Sequence, residues 1–489
     1  MEFQGARNFS IESPGNDVFS SKYDDDGHVK RTGTWVTASA HIVTAVIGSG
    51  VLSLAWAVAQ LGWIVGPTIL TVFSAITLVT SFMLSDCYRY PDPVHGSRNP
   101  RYMEMVKNVL GGIQCQLCGW AQYIILFGTS IGYTITASIS MVAIKRSNCF
   151  HKHGHEAKCH AANYPFMIIF AVVEILISQI PDFHELSGLS ILAAIMSFGY
   201  ATIGVGLSIA KIAEGGNHAT SLTGVIVGED VTSQQKLWNT FQAIGNIAFA
   251  YGFSMVIVEI QASYLSYPIL YYSTQDTLKS SPPENQAMKK ATATGISITT
   301  LFYMLCGLLG YEAFGNKAPG NFLTGFGFYE PYWLVDIGNV FIVIHLVGAY
   351  QVFSQPIFTL VEGWCAKRWP ESNFMAKEYH VRIPLVGTYR VNAFRVIWRT
   401  LYVILTSVVA ILLPFFNSIV GLLGAVSFWP LTVYFPTEMY LVRAKVPKFS
   451  VIWIGVKLLS GFCLIVTLVA AAGSIEGIIT DLKTYDPFN

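Results

Sequence analysis

The sequence predicts an all-α polytopic membrane protein with eleven transmembrane helices. Three observations indicate this. Hydrophobic residues make up 53% of the chain and charged residues only 12%, whereas soluble domains carry about 25% charged residues. Apolar runs of about 20 residues, long enough to cross a bilayer, recur along the whole chain. A polar or Gly/Pro-containing break separates each run from the next. The net charge of +1 gives no indication of a nucleic-acid partner.

Hydropathy places eleven helices, which we label α1 to α11 in chain order. The predicted ranges are 36–62, 66–88, 114–144, 163–180, 187–212, 236–262, 288–313, 332–362, 392–414, 417–441 and 449–474. Residues 1–35 are polar and lack the apolar core of a signal peptide, so they predict a disordered tail, and α1 must serve as the insertion signal.

The distribution of Lys and Arg predicts the orientation in the membrane. If residues 1–35 are cytosolic, the loops on that side carry far more basic residues than the loops on the other side, as the positive-inside rule requires. With eleven helices, the C-terminal tail, residues 475–489, is then extracellular.

The loop between α3 and α4 is extracellular in the same orientation, and it contains Cys149 and Cys159 among several histidines. A metal site is one interpretation of this loop, but a disulfide in an oxidising space is the favoured one.

Two of the predicted helices contain helix-weakening residues in the middle of the membrane. Helix α1 contains IGSG at residues 47–50, and α6 contains GNIAFAYGFS at residues 245–254. Helix α6 is the fifth helix after α1, so residues 36–212 and 213–441 form successive five-helix halves that enter the membrane from opposite sides. This predicts an inverted repeat in which the first helix of each half is broken near the midplane. Helix α11 lies outside the repeat.

Broken helices suit a substrate that carries both charges of an amino acid. Unwound backbone in a membrane needs hydrogen-bond partners, and a bound substrate supplies them. Half-helix N–H groups attract a carboxylate, and half-helix carbonyls attract an ammonium. The predicted carboxylate site comprises Ile47, Gly48, Ser49 and Gly50. The predicted ammonium site comprises Phe249, Ala250 and Tyr251, with Asn246 lining the outer approach.

The alternative interpretation is that these small residues only allow close helix packing. Gly48 and Gly50 lie two positions apart, however, and not at the GxxxG spacing that lines one helix face. The recurrence of a break at the equivalent position of the second half also favours binding.

Four ionisable residues inside the predicted helices are candidates for carrying a coupling proton, because such residues are costly in a bilayer. They are His41 in α1, Glu259 in α6, and Asp336 and His345 in α8. Histidine, with an unperturbed pKa of about 6.5, suits a switch between an acidic exterior and a neutral cytosol. Each histidine is also interpretable as a packing residue, and Asp336 as a helix-end residue. Glu259 is the preferred candidate because it follows the break in α6.

Several segments together resemble the plant amino acid permeases of the amino acid/auxin permease family, within the APC superfamily. They are RTGTWVTASAHIVTAVIGSGVLSLAWAVAQLGW, NIAFAYGFSMVIVEIQ, YEAFGNKAPGNFLTGFGFYEPYWLVDIGN, VIHLVGAYQVFSQPIF and GLLGAVSFWPLTVYFPTEMY. The resemblance runs from about residue 31 to the C-terminus. It implies a leucine-transporter-like fold and import of amino acids with protons across the plasma membrane, with no cofactor or metal. It further implies that Tyr133 in α3, with Gln351 and Ser354 in α8, completes the pocket.

One position departs from the family pattern, and three alternative functions stay open. Many family members carry an acid where this sequence has Asn246, so this chain either couples through another group or uses the position only to shape its pocket. The nearest alternative function is import of auxin, a carboxylate without an ammonium. An enzyme would need clustered catalytic residues, and a channel a selectivity motif; the sequence offers neither.

Overall fold

The computed structural model describes residues 34–99, 101–154, 156–180, 187–215, 219–254, 283–326, 331–383 and 387–485. Every predicted helix has a helical counterpart among these residues. Helix α1 comprises Trp35–Val46, a 3₁₀ turn at Ser49–Ser53 and residues 54–61, and α2 spans residues 63–87. The others are α3 Gly112–His153, α4 Tyr164–Ser178, α5 Ser187–Ala213, α6 Ser233–Ala250, α7 Glu284–Phe314, α8 Tyr332–Arg368, α9 Ala393–Leu412, α10 Phe416–Arg443 and α11 Val451–Leu482.

A single non-helical residue separates α1 from α2. Every other residue from Leu54 to Cys87 is helical. The non-helical residue is Gly62, whose φ of 78° is unfavourable for any residue with a side chain. A Cβ on Gly62 would also lie 2.2 Å from the backbone nitrogen of Gly224. The loop after α5 therefore packs directly on the backbone of this turn and fixes where α1 ends.

Helices α1, α2, α6 and α7 pack together, and α3 packs with α4, α8 and α9. Helix α5 contacts both groups through α7 and α8, and α10 and α11 pack against α6. The two broken helices therefore lie side by side in one group, as an inverted repeat requires. Within α10, residues Phe428–Tyr434 form a π-helical segment.

In the described ranges, eight helices are long and apolar enough to cross a membrane, and Trp35–Val46 and Tyr164–Ser178 are shorter apolar helices. On α11 the large apolar side chains Leu458, Ile465 and Leu468 are more than 60% exposed, which fits a surface that faces lipid. The prediction of an all-α polytopic membrane protein is confirmed.

Three small elements were not predicted from hydropathy, because each is short and polar. Hairpin β1–β2 (Arg89–Tyr90 and Ser97–Arg98) and the helix Tyr102–Leu110 connect α2 to α3, and hairpin β3–β4 (Glu378–Ile383 and Gly387–Asn392) connects α8 to α9. The first hairpin is tied to α7, because Arg89 and Arg98 both pair with the buried carboxylate of Glu284, at 2.9 and 2.7 Å.

Helices α3 and α11 extend furthest beyond their predicted ends. Helix α11 continues to Leu482, so the predicted tail at 475–489 begins inside it. Helix α3 continues to His153 and therefore carries Cys149 in its last turns. Cys149 is joined to Cys159 by a disulfide with an Sγ–Sγ distance of 2.05 Å and a Cα–Cα distance of 5.9 Å. The disulfide prediction is confirmed.

Candidate substrate site

The break in α1 leaves two backbone N–H groups without partners. The first part of the helix ends at Val46, and Gly48 is extended, with φ −118° and ψ −149°. The N–H of Gly48 turns back to the carbonyl of Val46 at 2.8 Å. Within the part of the chain that the structure describes, the N–H groups of Ser49 and Gly50 have no acceptor. Free N–H groups at the start of a helical turn can bind an anion.

The break in α6 is tighter, and its carbonyls are already in use. The helix ends at Ala250, and the carbonyls of Phe249 and Tyr251 accept from the N–H groups of Gly252 and Phe253 at 3.0 and 3.1 Å. An ammonium at this position would bind the second lone pair of each oxygen. The rest of the predicted α6, including Glu259, lies outside the described residues.

The two breaks are in direct contact. A Cβ added to Gly50 would lie 2.9 Å from the Cα of Ala250 and 3.3 Å from the ring of Phe249. Only glycine at position 50 lets the two chains approach this closely. By contrast, the nearest atom to a Cβ on Gly48 is Nε2 of His345, at 4.0 Å. The structure therefore brings the predicted carboxylate and ammonium sites together at one place.

Two buried tyrosines that the sequence analysis did not single out satisfy the carbonyls at these breaks. The hydroxyl of Tyr303 in α7 shares its proton between the carbonyls of Val46, at 2.5 Å, and Ala250, at 2.8 Å. The hydroxyl of Tyr200 in α5 donates to the carbonyl of Ile47 at 3.3 Å. The available signal was a tyrosine hydroxyl in the middle of an apolar helix, which needs a partner when buried.

Helix α8 brings His345 against the break in α1, where its side chain is buried. Nδ1 lies 3.0 Å from the hydroxyl of Ser197 and 3.2 Å from the carbonyl of Ala193, both in α5. Tyr200 packs edge-on against the imidazole, with ring centroids 5.9 Å apart. His345 is therefore placed to act on the α1 break, whether it carries a proton or only positions the helices.

The remaining residues of the predicted pocket bond away from the breaks. Tyr133 packs edge-on against Phe353, with centroids 5.5 Å apart. Gln351 donates from Nε2 to Glu174 of α4 at 2.6 Å. Ser354 lies 3.3 Å from the hydroxyl of Ser130, which in turn lies 2.9 Å from that of Tyr402.

```
```

Asn246 of α6 is completely buried against α10, and it lies next to a cavity. Its Nδ2 donates to Oδ1 of Asn417 at 3.4 Å, and its Oδ1 has no partner among the described residues. Asn417 lines a cavity of about 760 Å³ together with Gln242, which precedes Asn246 by one helical turn. The cavity is walled by the ends of α6, α10 and α11 and by the loop after α7. Asn246 thus lies one helical turn from the lining of this cavity, and its assignment to the outer approach stays a prediction.

The other two proton candidates lie away from the contact between the breaks. Asp336 accepts from Nδ2 of Asn148 at 2.6 Å, where the ends of α8 and α3 meet. It precedes His345 by nine residues, or about 13 Å along a helix. His41 is half-buried in the first part of α1, before the break.

Comparison with known proteins identifies the family. The family described as "Transmembrane amino acid transporter protein" matches residues 31–480. The chain belongs to this family. It is similar to two proteins of Arabidopsis thaliana, Amino acid permease 6, at 62% identity over 96% of this chain and 95% of that protein, and Amino acid permease 1, at 57% identity over 98% and 95%. Membership in a family of transporters confirms that the chain is a transporter and not an enzyme.

A solved structure shows the fold. The crystal structure of MhsT in complex with L-phenylalanine has a TM-score of 0.54 with this chain at 11% identity, and the match covers 90% of this chain and all of MhsT. The predicted leucine-transporter-like fold is confirmed.

Proposed function

We propose that this chain imports amino acids together with protons across the plasma membrane by alternating access. The observation that carries the proposal is the contact between the two helix breaks. There, free N–H groups of Ser49 and Gly50 lie beside the carbonyls that end the first part of α6. A zwitterion needs both kinds of group within the length of one α-amino acid. The printed names of the close relatives, which are amino acid permeases, support the same substrate class.

In this proposal, the α-carboxylate binds the N–H groups at the break in α1, and the ammonium binds carbonyls at the break in α6. The substrate side chain points toward α3 and α8, where Tyr133 and His345 lie. The cavity bounded by Gln242 and Asn417 is the route from the exterior. The N-terminus is cytosolic and the C-terminus extracellular, which the distribution of basic residues supports.

The test is a substrate panel in voltage-clamped oocytes that express the chain. Neutral, acidic and basic amino acids are compared with indole-3-acetate and with N-acetylated amino acids, which keep the carboxylate but lack the ammonium. The expected result is an inward current that saturates with amino acid and grows on external acidification. Equal currents with indole-3-acetate or N-acetylated amino acids would show that the ammonium is not recognised and would favour auxin import.

A further inference from the structure

A second buried carboxyl group lies in α4, away from the candidate substrate site. Glu174 is 0% exposed, and α4 packs against α3, α8 and α9. Its Oε2 accepts from Nε2 of Gln351 in α8 at 2.6 Å, and Gln351 is also 0% exposed. The sequence alone gives no proton-coupling role for Glu174, because position along a helix does not show which way a side chain faces.

The oxygen atoms of this pair are not all matched. Oε1 of Glu174 and Oε1 of Gln351 are both buried and have no hydrogen-bond partner among the described residues. An ionised carboxylate only accepts hydrogen bonds, so it cannot serve the amide oxygen. A protonated carboxyl group has one O–H to donate. That O–H gives the pair a donor for an acceptor oxygen such as the amide oxygen of Gln351, which the ionised form lacks.

The opposite assignment of the amide leads to the same protonation state. If the nitrogen and oxygen of Gln351 were exchanged, two acceptor oxygens would lie 2.6 Å apart. Such a contact is stable only when one of them carries a proton, and an amide oxygen does not at ordinary pH.

Among the described residues, the charged and titratable groups around Glu174 supply no compensating positive charge. Helix α8 contributes Tyr350, whose hydroxyl lies 2.7 Å from Thr406 of α9. Arg399 of α9 approaches α4 one turn away, where it donates to the carbonyl of Ser178, but it is paired with Glu362 of α8 at 2.8 Å. From α3 comes the neutral Ser130, which bonds Tyr402. A buried carboxylate without a paired cation is strongly disfavoured.

We infer that Glu174 is a proton-binding site, held in the protonated form by Gln351 in this conformation. The inference rests on the proposed proton coupling. Separation of α4 from α8 would admit water to the carboxyl group, which then releases its proton; re-formation of the pair binds one again. In this inference, Gln351 stabilises the protonated carboxyl group of Glu174 and does not bind the substrate. Its place on α8, six residues after His345, gives the acid a direct connection to the helix that contacts the α1 break.

The test compares Glu174→Gln with Glu312→Gln, an exposed glutamate in α7, and with wild type. Each is reconstituted in liposomes, and two quantities are measured: exchange of labelled for unlabelled amino acid without a pH gradient, and accumulation driven by a gradient. Because glutamine is a permanent analogue of the neutral acid, Glu174→Gln is expected to keep exchange and to lose about tenfold or more of the gradient-driven accumulation. Glu312→Gln is expected to keep both.

The outcomes separate the two proposals. Wild type without gradient-driven accumulation would contradict proton coupling itself. A coupled wild type with a Glu174→Gln variant that accumulates equally well would overturn the assignment of Glu174 alone. If that variant does not fold, Gln351→Leu keeps the acid and removes its bonded partner. A shifted pH midpoint of transport is then expected, and an unchanged midpoint overturns the inference.

Discussion

Helices α1 and α6 begin alike and break differently. Each starts at a threonine capping box, Thr34 with Thr37 and Thr232 with Gln235. Helix α1 then breaks over an extended glycine and resumes as a 3₁₀ turn with two free N–H groups. Helix α6 breaks at Tyr251, and there the N–H groups of Gly252 and Phe253 already donate to the backbone carbonyls of the break. The inverted repeat therefore places both breaks, but it does not decide which backbone groups stay available for a ligand.

The surroundings of the two breaks differ in the same way. Beside α6, the backbones of α6 and α10 approach so closely that a Cβ on Gly424 would lie 2.0 Å from the carbonyl oxygen of Gly245. At Gly48 of α1, by contrast, a Cβ would meet no heavy atom closer than 4.0 Å. We infer that the α6 break is held rigidly by α10, and that the α1 break has room for a ligand.

The largest expected effect comes from breaking the contact between α6 and α10. Gly424→Ala places a methyl group against backbone atoms that cannot move away without shifting α6. Overpacking of this kind costs about 1–3 kcal/mol, so we expect a marked loss of folded protein at the cell surface, measured by biotinylation. Gly461→Ala in α11 is the control, because its Cβ meets nothing within 4 Å. Normal surface levels of Gly424→Ala would show that α10 does not hold the break.

The next effect separates the two glycines of the α1 break. Gly50→Ala pushes against the Cα of Ala250 and displaces one break from the other, so uptake should fall about 100-fold at normal surface expression. Gly48→Ala, with open space and a φ that alanine adopts, should lose less than about tenfold. Labelled amino acid uptake, normalised to surface protein, measures both. Equal losses would mean that the close contact at Gly50 is unimportant.

A smaller effect is expected from the hydroxyl that the two breaks share. Tyr303→Phe removes the donor for Val46 and Ala250, and bonds of this kind in membranes contribute about 1–2 kcal/mol, or roughly tenfold in uptake. Tyr200→Phe removes a single, longer bond to Ile47 and should cost about threefold at most. If Tyr200→Phe had the larger effect, the shared hydroxyl would not be what couples the breaks.

The smallest effect concerns the outer approach beside α6. Asn246→Asp replaces the donor to Asn417 by an acceptor, so uptake at neutral pH should fall about threefold. Acidification should restore it, because a protonated Asp can donate again. Asn417→Asp keeps an acceptor for the N–H group of Asn246, so uptake by this variant should be nearly unchanged. A pH profile of uptake for both variants is the measurement, and an Asn246→Asp profile identical to wild type would contradict this role for the bond.

The sequence predicted the helices, the breaks and the disulfide because each leaves a local signal: apolar length, midspan glycines, or paired cysteines in a loop. The partners across the fold had no such signal. Tyr303 and Glu174 each sit in an apolar helix, and only the packing of α7 on α1 and of α4 on α8 shows what they bond. Gln351 illustrates the same limit: the resemblance assigned it to the pocket, and only the packing of α4 on α8 shows that its amide bonds Glu174.

The most direct test of the central claim is a cryo-electron microscopy structure of the chain with a bound amino acid. We expect density for the α-carboxylate within hydrogen-bond distance of the N–H groups of Ser49 and Gly50, with the ammonium facing the carbonyls from Phe249 to Tyr251. Density confined to the cavity lined by Gln242 and Asn417, with the breaks empty, would contradict it.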